Sequence, residues 1–368
     1  MNRAVSRAEP RVSLGGPWGK VTGAFGAIAR TTSGPVYLVL LVVFLICFAV
    51  VTIDGGEFLS VDNIREMLVR SVALGIVAAG QTLVILGASL DLSVAYVISL
   101  TSLIGAETMD GQNGQIVTGI ALVLLIGLAI GLVNGLVITK LRVNPFIATL
   151  GVALIIRGYL EANYAGPAGS SAPDFRKLGF ENIGPIPLSV ILLFAVVAAV
   201  WFLLRWSRFG NRLYAVGGDE QVAKLSGVRT HRVLITAHVL CALAAAITGL
   251  FLASRLGAGS PLVGQEASYD LQSIAAVVLG GTYLLGGRGG VLGTLAGVLI
   301  LAMLDNTFDQ LEVNSFAKDV ARGLIIIAAV AAYSVRWRRH RRREAAAAEG
   351  VDEPPQGGAP VLQEGRAT

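Results

Sequence analysis

Charge is scarce in this 368-residue chain. Asp, Glu, Lys and Arg supply 14% of it, while the apolar set from Ala to Cys supplies 54%. Soluble domains carry about 25% charge, and a soluble fold of this size needs polar groups over its outside. Lipid removes that need. A cytosolic enzyme and a disordered chain are excluded, and an all-α, polytopic membrane protein is expected. A porin-type barrel is excluded too, because barrel strands alternate over about ten residues and the runs here are longer and continuous. Cysteine is nearly absent. Cys47 and Cys241 both sit inside apolar runs, which suits small core-filling residues and excludes a disulfide framework.

Catalytic signatures are missing as well. The chain has no G-x-x-x-x-G-K-[ST]; its one Gly-Lys pair, Gly19-Lys20, is followed by Val21. H-E-x-x-H, C-x-x-C and G-x-S-x-G do not occur, and the three histidines, His231, His238 and His340, give little support for metal or imidazole catalysis. No cofactor or metal site is expected, and no enzymatic activity. A net charge of +5 invites a nucleic-acid reading. The distribution argues against it, since most Lys and Arg lie in tails and short loops between apolar runs.

Ten apolar runs are expected to span, at about 36–53, 71–87, 94–106, 116–138, 146–160, 188–204, 233–256, 271–285, 291–304 and 319–335. A span needs about 20 residues. The 13–15-residue runs must therefore extend through polar residues or be broken helices shielded by neighbours. With the N-terminus inside, the inside segments hold 21 Lys and Arg and the outside segments 5. That bias places both termini in the cytoplasm. Three regions follow: a tail at 1–35, a transmembrane domain at 36–335, and a C-terminal tail at 336–368. The last opens with a basic cluster from Arg336 to Arg343, suited to stop-transfer and lipid contact. Residues 57–70 look like a short interfacial helix capped by Asp62. Gly127, Gly131 and Gly135 share a helix face, as do Gly293 and Gly297, the spacing that lets helices pack closely in lipid.

Two stretches resemble each other, Val84–Asp91 and Val277–Leu284. Each ends an apolar run at a Gly-containing break, and they stand about half the chain apart. Paired interrupted segments in two pseudo-repeated halves point to a transport pathway. Polar residues in or beside spans are few: Gln81, Asp91, Asn134, Arg157, Asp270, Arg288, Asp305 and Asn306. A charge at the centre of a span costs about 2.5–3.5 kcal/mol by insertion scales, so such residues have a partner or a task.

The longest inside loop, 205–232, has internal structure. Asp219 can N-cap a short helix and Gly227 can end it, with Val222 and Leu225 on one apolar face. About seven residues are too few for a stable free helix. Such a helix, ordered by its surroundings and presented between two spans, suits a membrane subunit that receives force from a soluble motor.

Four blocks then carry a family resemblance: GQTLVILGASLDLSVAYV (80–97), NGLVITKLRVNPFIATLGVALIIRG (134–158), FGNRLYAVGGDEQVAKLSGV (209–228) and SIAAVVLGGTYLLGGRGGVLGTLAG (273–297). The chain resembles the permease subunits of bacterial ATP-binding-cassette importers of the ribose-type and branched-chain amino acid class, and is nearer the sugar branch. The resemblance implies about ten spans in the bacterial plasma membrane and a second permease subunit, usually identical. It also implies a cytoplasmic ATPase that binds ATP and Mg, and an extracytoplasmic solute-binding protein. By position, Gly217, Gly218, Asp219, Glu220, Ala223, Leu225, Ser226 and Gly227 match the ATPase-coupling segment. Asp91, Leu92 and Ser93 match the first break; Gly280, Gly281 and Thr282 match the second. Together with Gln81, Asn134, Tyr283, Asp305 and Asn306 they form the candidate translocation path. The sequence departs from the family pattern at Ala88 for Gly, Asp219 for Asn, Tyr283 for Ser and in an acidic 305–309. A secondary transporter with Asp91 or Asp305 as an ion site is the competing class, and an amino acid is the competing solute.

Overall fold

The computed structural model describes residues 34–314, together with 316–318, 320, 321, 323, 324 and 327. The chain divides into two units, 1–321 and 322–368, and the description below concerns the first. Residues 1–33 of the expected N-terminal tail, the whole expected C-terminal tail and most of the expected tenth run lie outside the described residues. The other nine runs all form helices.

In chain order the helices are α1 (Gly34–Ile53), α2 (Val61–Leu86), α3 (Val94–Met109), α4 (Ile116–Lys140), α5 (Pro145–Asn163), α6 (Pro173–Phe180), α7 (Leu188–Trp206), α8 (Arg208–Gly218), α9 (Glu220–Leu225), α10 (Thr230–Leu256), α11 (Val263–Glu266), α12 (Tyr269–Leu279) and α13 (Val291–Gln310). A two-residue hairpin, Asn182–Ile183 against Ile186–Pro187, is the one β-sheet among the described residues. Seven of the helices are long and apolar enough to cross a membrane; α3 and α12 are shorter.

The short runs resolve in both expected ways. The runs at 146–160 and 291–304 gain length at polar ends, in α5 and α13. The run at 271–285 does not: α12 stops at Leu279 because Gly280 and Gly281 turn the chain. The expected interfacial helix at 57–70 is a correction. It is continuous with the next span as α2, and Ser60 caps it, accepting from the Asn63 amide, while Asp62 lies in the first turn. Nothing between Arg70 and Ser71 breaks the helix, so the apolar periodicity carries straight through.

Burial sorts the helices into two layers. In α2, 89% of the apolar window is buried inside the protein, against 17% in α1. α2, α3 and α10 form the centre, and α1, α4, α5 and α7 turn broad apolar faces outward. In lipid those outer faces need no cover. The glycine stripe of α4 is filled by α10: a Cβ at Gly127, Gly131 or Gly135 would press on Ala246, Val239 or Ile235. Gly297 of α13 meets the Ala276 carbonyl of α12 in the same way. α1 covers α13 through Cys47, Val51, Phe58, Ile300 and Met303. α6 closes the other side against Met109, Val123 and Leu250.

Candidate functional site

The two breaks end their helices with one hydrogen-bond pattern. In the first, the Ala88 amide donates to the Ile85 carbonyl (2.9 Å) and Ser89 to Val84 (3.1 Å); in the second, Gly281 donates to Val278 (2.9 Å) and Thr282 to Val277 (3.1 Å). This is the left-handed cap that terminates helices with the penultimate position at positive φ. Ala88 takes φ +58° and Gly281 φ +82°. The repeat seen in the sequence is thus a structural one. α2 and α13 also meet directly, through the Thr82 and Thr294 hydroxyls at 2.8 Å.

Beyond the first break lies a buried polar cluster. Asp91 Oδ1 accepts from the Ser93 amide (2.9 Å) and the Ser93 hydroxyl (2.5 Å). Asn134 Nδ2, on α4, donates to Ser93 Oγ (2.9 Å) and Asp91 Oδ2 (3.3 Å). His238, on α10, places Nδ1 3.5 Å from Asp91 Oδ2 and Nε2 2.9 Å from Ser89 Oγ. Thr149 of α5 accepts from the Leu92 amide (3.1 Å). Every one of these side chains except Leu92 is polar, and all are buried. A neutral imidazole protonated at Nδ1 satisfies both of its neighbours, donating to Asp91 and accepting from Ser89. The break is therefore locked to α4, α5 and α10 together. Nearby, Gln81 accepts from Cys241 Sγ at 3.4 Å. Its Nε2, and Asn134 Oδ1, are buried without a partner among the described residues. Ser189 Oγ and Ser254 Oγ, away from the break, are buried in the same state.

His238 and Ser89 were not singled out from the sequence. The signal was present, since an ionisable residue in the middle of an apolar span has a partner or a task.

The other path candidates fall elsewhere. Thr282 is buried and its hydroxyl accepts from the Gly290 amide at 3.2 Å. Gly280 lies against the Gly293 backbone of α13, and the Tyr283 amide donates to the Arg288 carbonyl at 2.8 Å. Asp305 and Asn306 stand near the far end of α13. Asn306 pairs its amide reciprocally with that of Asn63 at 2.7 and 3.2 Å, and Asp309 takes Arg70 and Lys318. The acidic 305–309 stretch thus ties α13 to the start of α2, away from the Asp91 cluster.

The 205–232 loop forms the expected short helix, preceded by a helix the sequence reading did not give, α8, and it reaches the breaks. Ser207 caps α8, accepting from Gly210 N (3.0 Å). Asp219 caps α9, accepting from the Gln221 (2.8 Å) and Val222 (3.0 Å) amides. Gly227 ends α9 at φ +81°, with Val228 N donating to Ala223 O at 3.0 Å. Ala223 is buried beneath, whereas Val222 is 58% and Leu225 88% exposed. Glu220, Gly218 and Ser226 are exposed around them. Behind α9, Gly217 sits backbone to backbone on the first break. A Cβ there would overlap the Leu86 carbonyl oxygen and crowd Gly287 N, and Gly287 N donates to that same carbonyl at 3.0 Å. The loop after the second break thus touches the first break and α8 at once. The Tyr214 hydroxyl adds a bond to the Gly289 carbonyl (2.8 Å), and burial pushes its phenol up. A cavity of about 830 Å³ opens between the first break, Lys140–Asn144 and Gly217–Glu220.

Residues 63–330 match a family model described as the permease component of the branched-chain amino acid transport system. The chain belongs to this permease family. The ribose import permease of Haemophilus influenzae is 36% identical to it over 79% of this chain and 91% of the relative. That of Bacillus subtilis is 39% identical over 76% and 87%. The galactose/methyl galactoside import permease of Escherichia coli K12 is 34% identical over 84% and 96%. No solved structure matches the chain. The matched range covers both breaks, the Asp91 cluster and α8–α9. The chain is a multi-pass membrane permease.

Proposed function

We propose that this permease is the membrane subunit of an ATP-driven importer that carries a monosaccharide. A separate cytoplasmic ATPase binds ATP and Mg, a solute-binding protein delivers the sugar from outside, and a second permease subunit completes the pathway. The observation that carries the reading is α9. It is capped at both ends, it presents Val222 and Leu225 outward, and it is joined through Gly217 to the backbone of the first break. An exposed apolar helix face seeks a partner, and the backbone contact behind it gives a partner's movement a rigid route to the break. Gly217, Gly218, Asp219, Glu220, Ala223, Leu225, Ser226 and Gly227 are the coupling segment. Gln81, Asp91, Ser93, Asn134, Gly280, Gly281, Thr282, Tyr283, Asp305 and Asn306 are the residues assigned to the pathway and its supports. The ribose and galactoside import permeases among the relatives support a sugar, and the excess of Lys and Arg in inside segments supports cytoplasmic termini.

The test is a mild-detergent pull-down of the tagged permease from its native membrane, followed by uptake assays with D-ribose, D-galactose and leucine. A stoichiometric P-loop ATPase is expected. Leu225→Asp puts a charge on the centre of the docking face, so ATPase association should fall at least tenfold while membrane insertion is unchanged. Wild-type association in that variant overturns the assignment of α9. A permease isolated without any ATPase shifts the reading to ion-coupled transport through Asp91 or Asp305. Leucine uptake with neither sugar moved overturns the solute class.

A further inference from the structure

A recess of about 300 Å³ lies between α3, α5 and α11, lined by Tyr96, Arg157, Glu161, Tyr164 and Gln265 among others. None of these residues belongs to the pathway set above. Arg157 and Glu161 form an ion pair at 2.7 Å, one turn apart on α5, and both are about half exposed. On the same helix Leu150, Leu154 and Ile155 are exposed apolar residues, the composition that lipid or another apolar surface requires. The pair sits in the last two turns of α5, where charged side chains reach water at the membrane face, so the recess opens to water. The recess is held rigidly from behind. α11 packs its Gly264 onto the Ala95 backbone of α3, and the Gly264 amide donates to Ser99 Oγ at 2.9 Å. The Tyr164 hydroxyl donates to Glu107 Oε2 at 2.7 Å, and its ring meets Tyr159 edge to face.

The lining has the chemistry of a carbohydrate site. Arg157 offers a planar donor fork and Glu161 accepts, which suits adjacent hydroxyls on one ring. Tyr96 and Tyr164 supply aromatic surface for the apolar C–H face. The volume is at the lower end of small-molecule sites. We propose that this recess is a solvated monosaccharide subsite in which Arg157 and Glu161 bind ring hydroxyls. The proposal rests on the sugar-importer reading and names the place where that importer holds its solute.

Two measurements test it. The first needs no partner. Cys47 and Cys241 are free and buried, so a new surface thiol is read against little background. In native membranes, Glu161→Cys should react with a charged, impermeant methanethiosulfonate at least tenfold faster than Ile155→Cys on the same helix. Equal rates overturn a solvated recess. The second uses the complete importer in proteoliposomes with labelled D-ribose and D-galactose. Arg157→Lys keeps the charge and loses the fork, and Tyr96→Ala removes the ring. Each should lower sugar moved per ATP at least fivefold, with binding-protein-stimulated ATP hydrolysis within twofold of wild type. Wild-type stoichiometry in both variants overturns the subsite. A wild-type importer that carries leucine and neither sugar overturns the solute reading and the sugar chemistry of the recess, while the thiol rates still report separately whether the recess is solvated.

Discussion

Ala88 holds the left-handed conformation that Gly281 holds at the equivalent point of the second half. For an L-residue that conformation costs roughly 1–2 kcal/mol, and Gly would return about 0.5–1 kcal/mol of this as extra freedom in the unfolded chain. Ala88→Gly should therefore stabilise the permease by about 0.5–1 kcal/mol, read as a rise in the melting temperature in detergent. His238 has the opposite sensitivity. It bridges Asp91 and Ser89 from α10 at 3.5 and 2.9 Å. His238→Ala leaves a buried carboxylate with one fewer donor, and such losses cost about 1–3 kcal/mol. Thermal unfolding should fall accordingly, and His238→Gln, which keeps a donor, should fall less. The sequence made Asp91 and Asn134 visible as polar residues in or beside apolar runs, and the family resemblance added Ser93. It did not show that they converge, because they lie on the break and on α4, and only packing brings these to His238.

At the scale of the element, α9 was legible because its signals are local. A carboxylate two residues before the first amide it caps, and a glycine two residues past the last helical residue, fix both ends of six residues. What ties α9 to the rest was not legible. Gly217 looks like any loop glycine, and its role comes from the Leu86 and Gly287 backbones lying where a side chain would be. Gly217→Val should force α8 off the first break. ATPase association should persist, because Leu225 is untouched, while stimulation of hydrolysis by the binding protein should fall at least tenfold. Retained stimulation would mean that the contact transmits nothing. The reading of 57–70 as a separate helix failed for a related reason. A cap at Asp62 and the spacing of Ile64, Met67 and Leu68 suggested a short separate helix, but Arg70 is paired to Glu66 and to Asp309, and the helix continues past it.

At the scale of the whole molecule, the proposed cytoplasmic placement of both termini rests on the charge bias of the loops. With N- and C-terminal tags, both should resist an externally added protease in intact cells, whereas a Gly184→Cys thiol in the exposed hairpin turn should react with an impermeant reagent. A C-terminal tag open to the outside would require an odd number of spans. Composition alone determined the class of this protein. Too little charge to cover a soluble surface leaves only a lipid-covered helical fold, and the two Gly-containing breaks and the capping signals around 219–227 mark its repeat and its short loop helix. Tertiary structure decided the rest. It made α2 a central helix where α1, more apolar still, is peripheral, because burial is set by neighbours rather than by hydropathy. It gathered residues 89 to 238 into one hydrogen-bonded cluster, joined the two breaks through Gly287, and set Arg157 and Glu161 in a recess, since contacts between distant segments are not encoded at any fixed spacing along the chain.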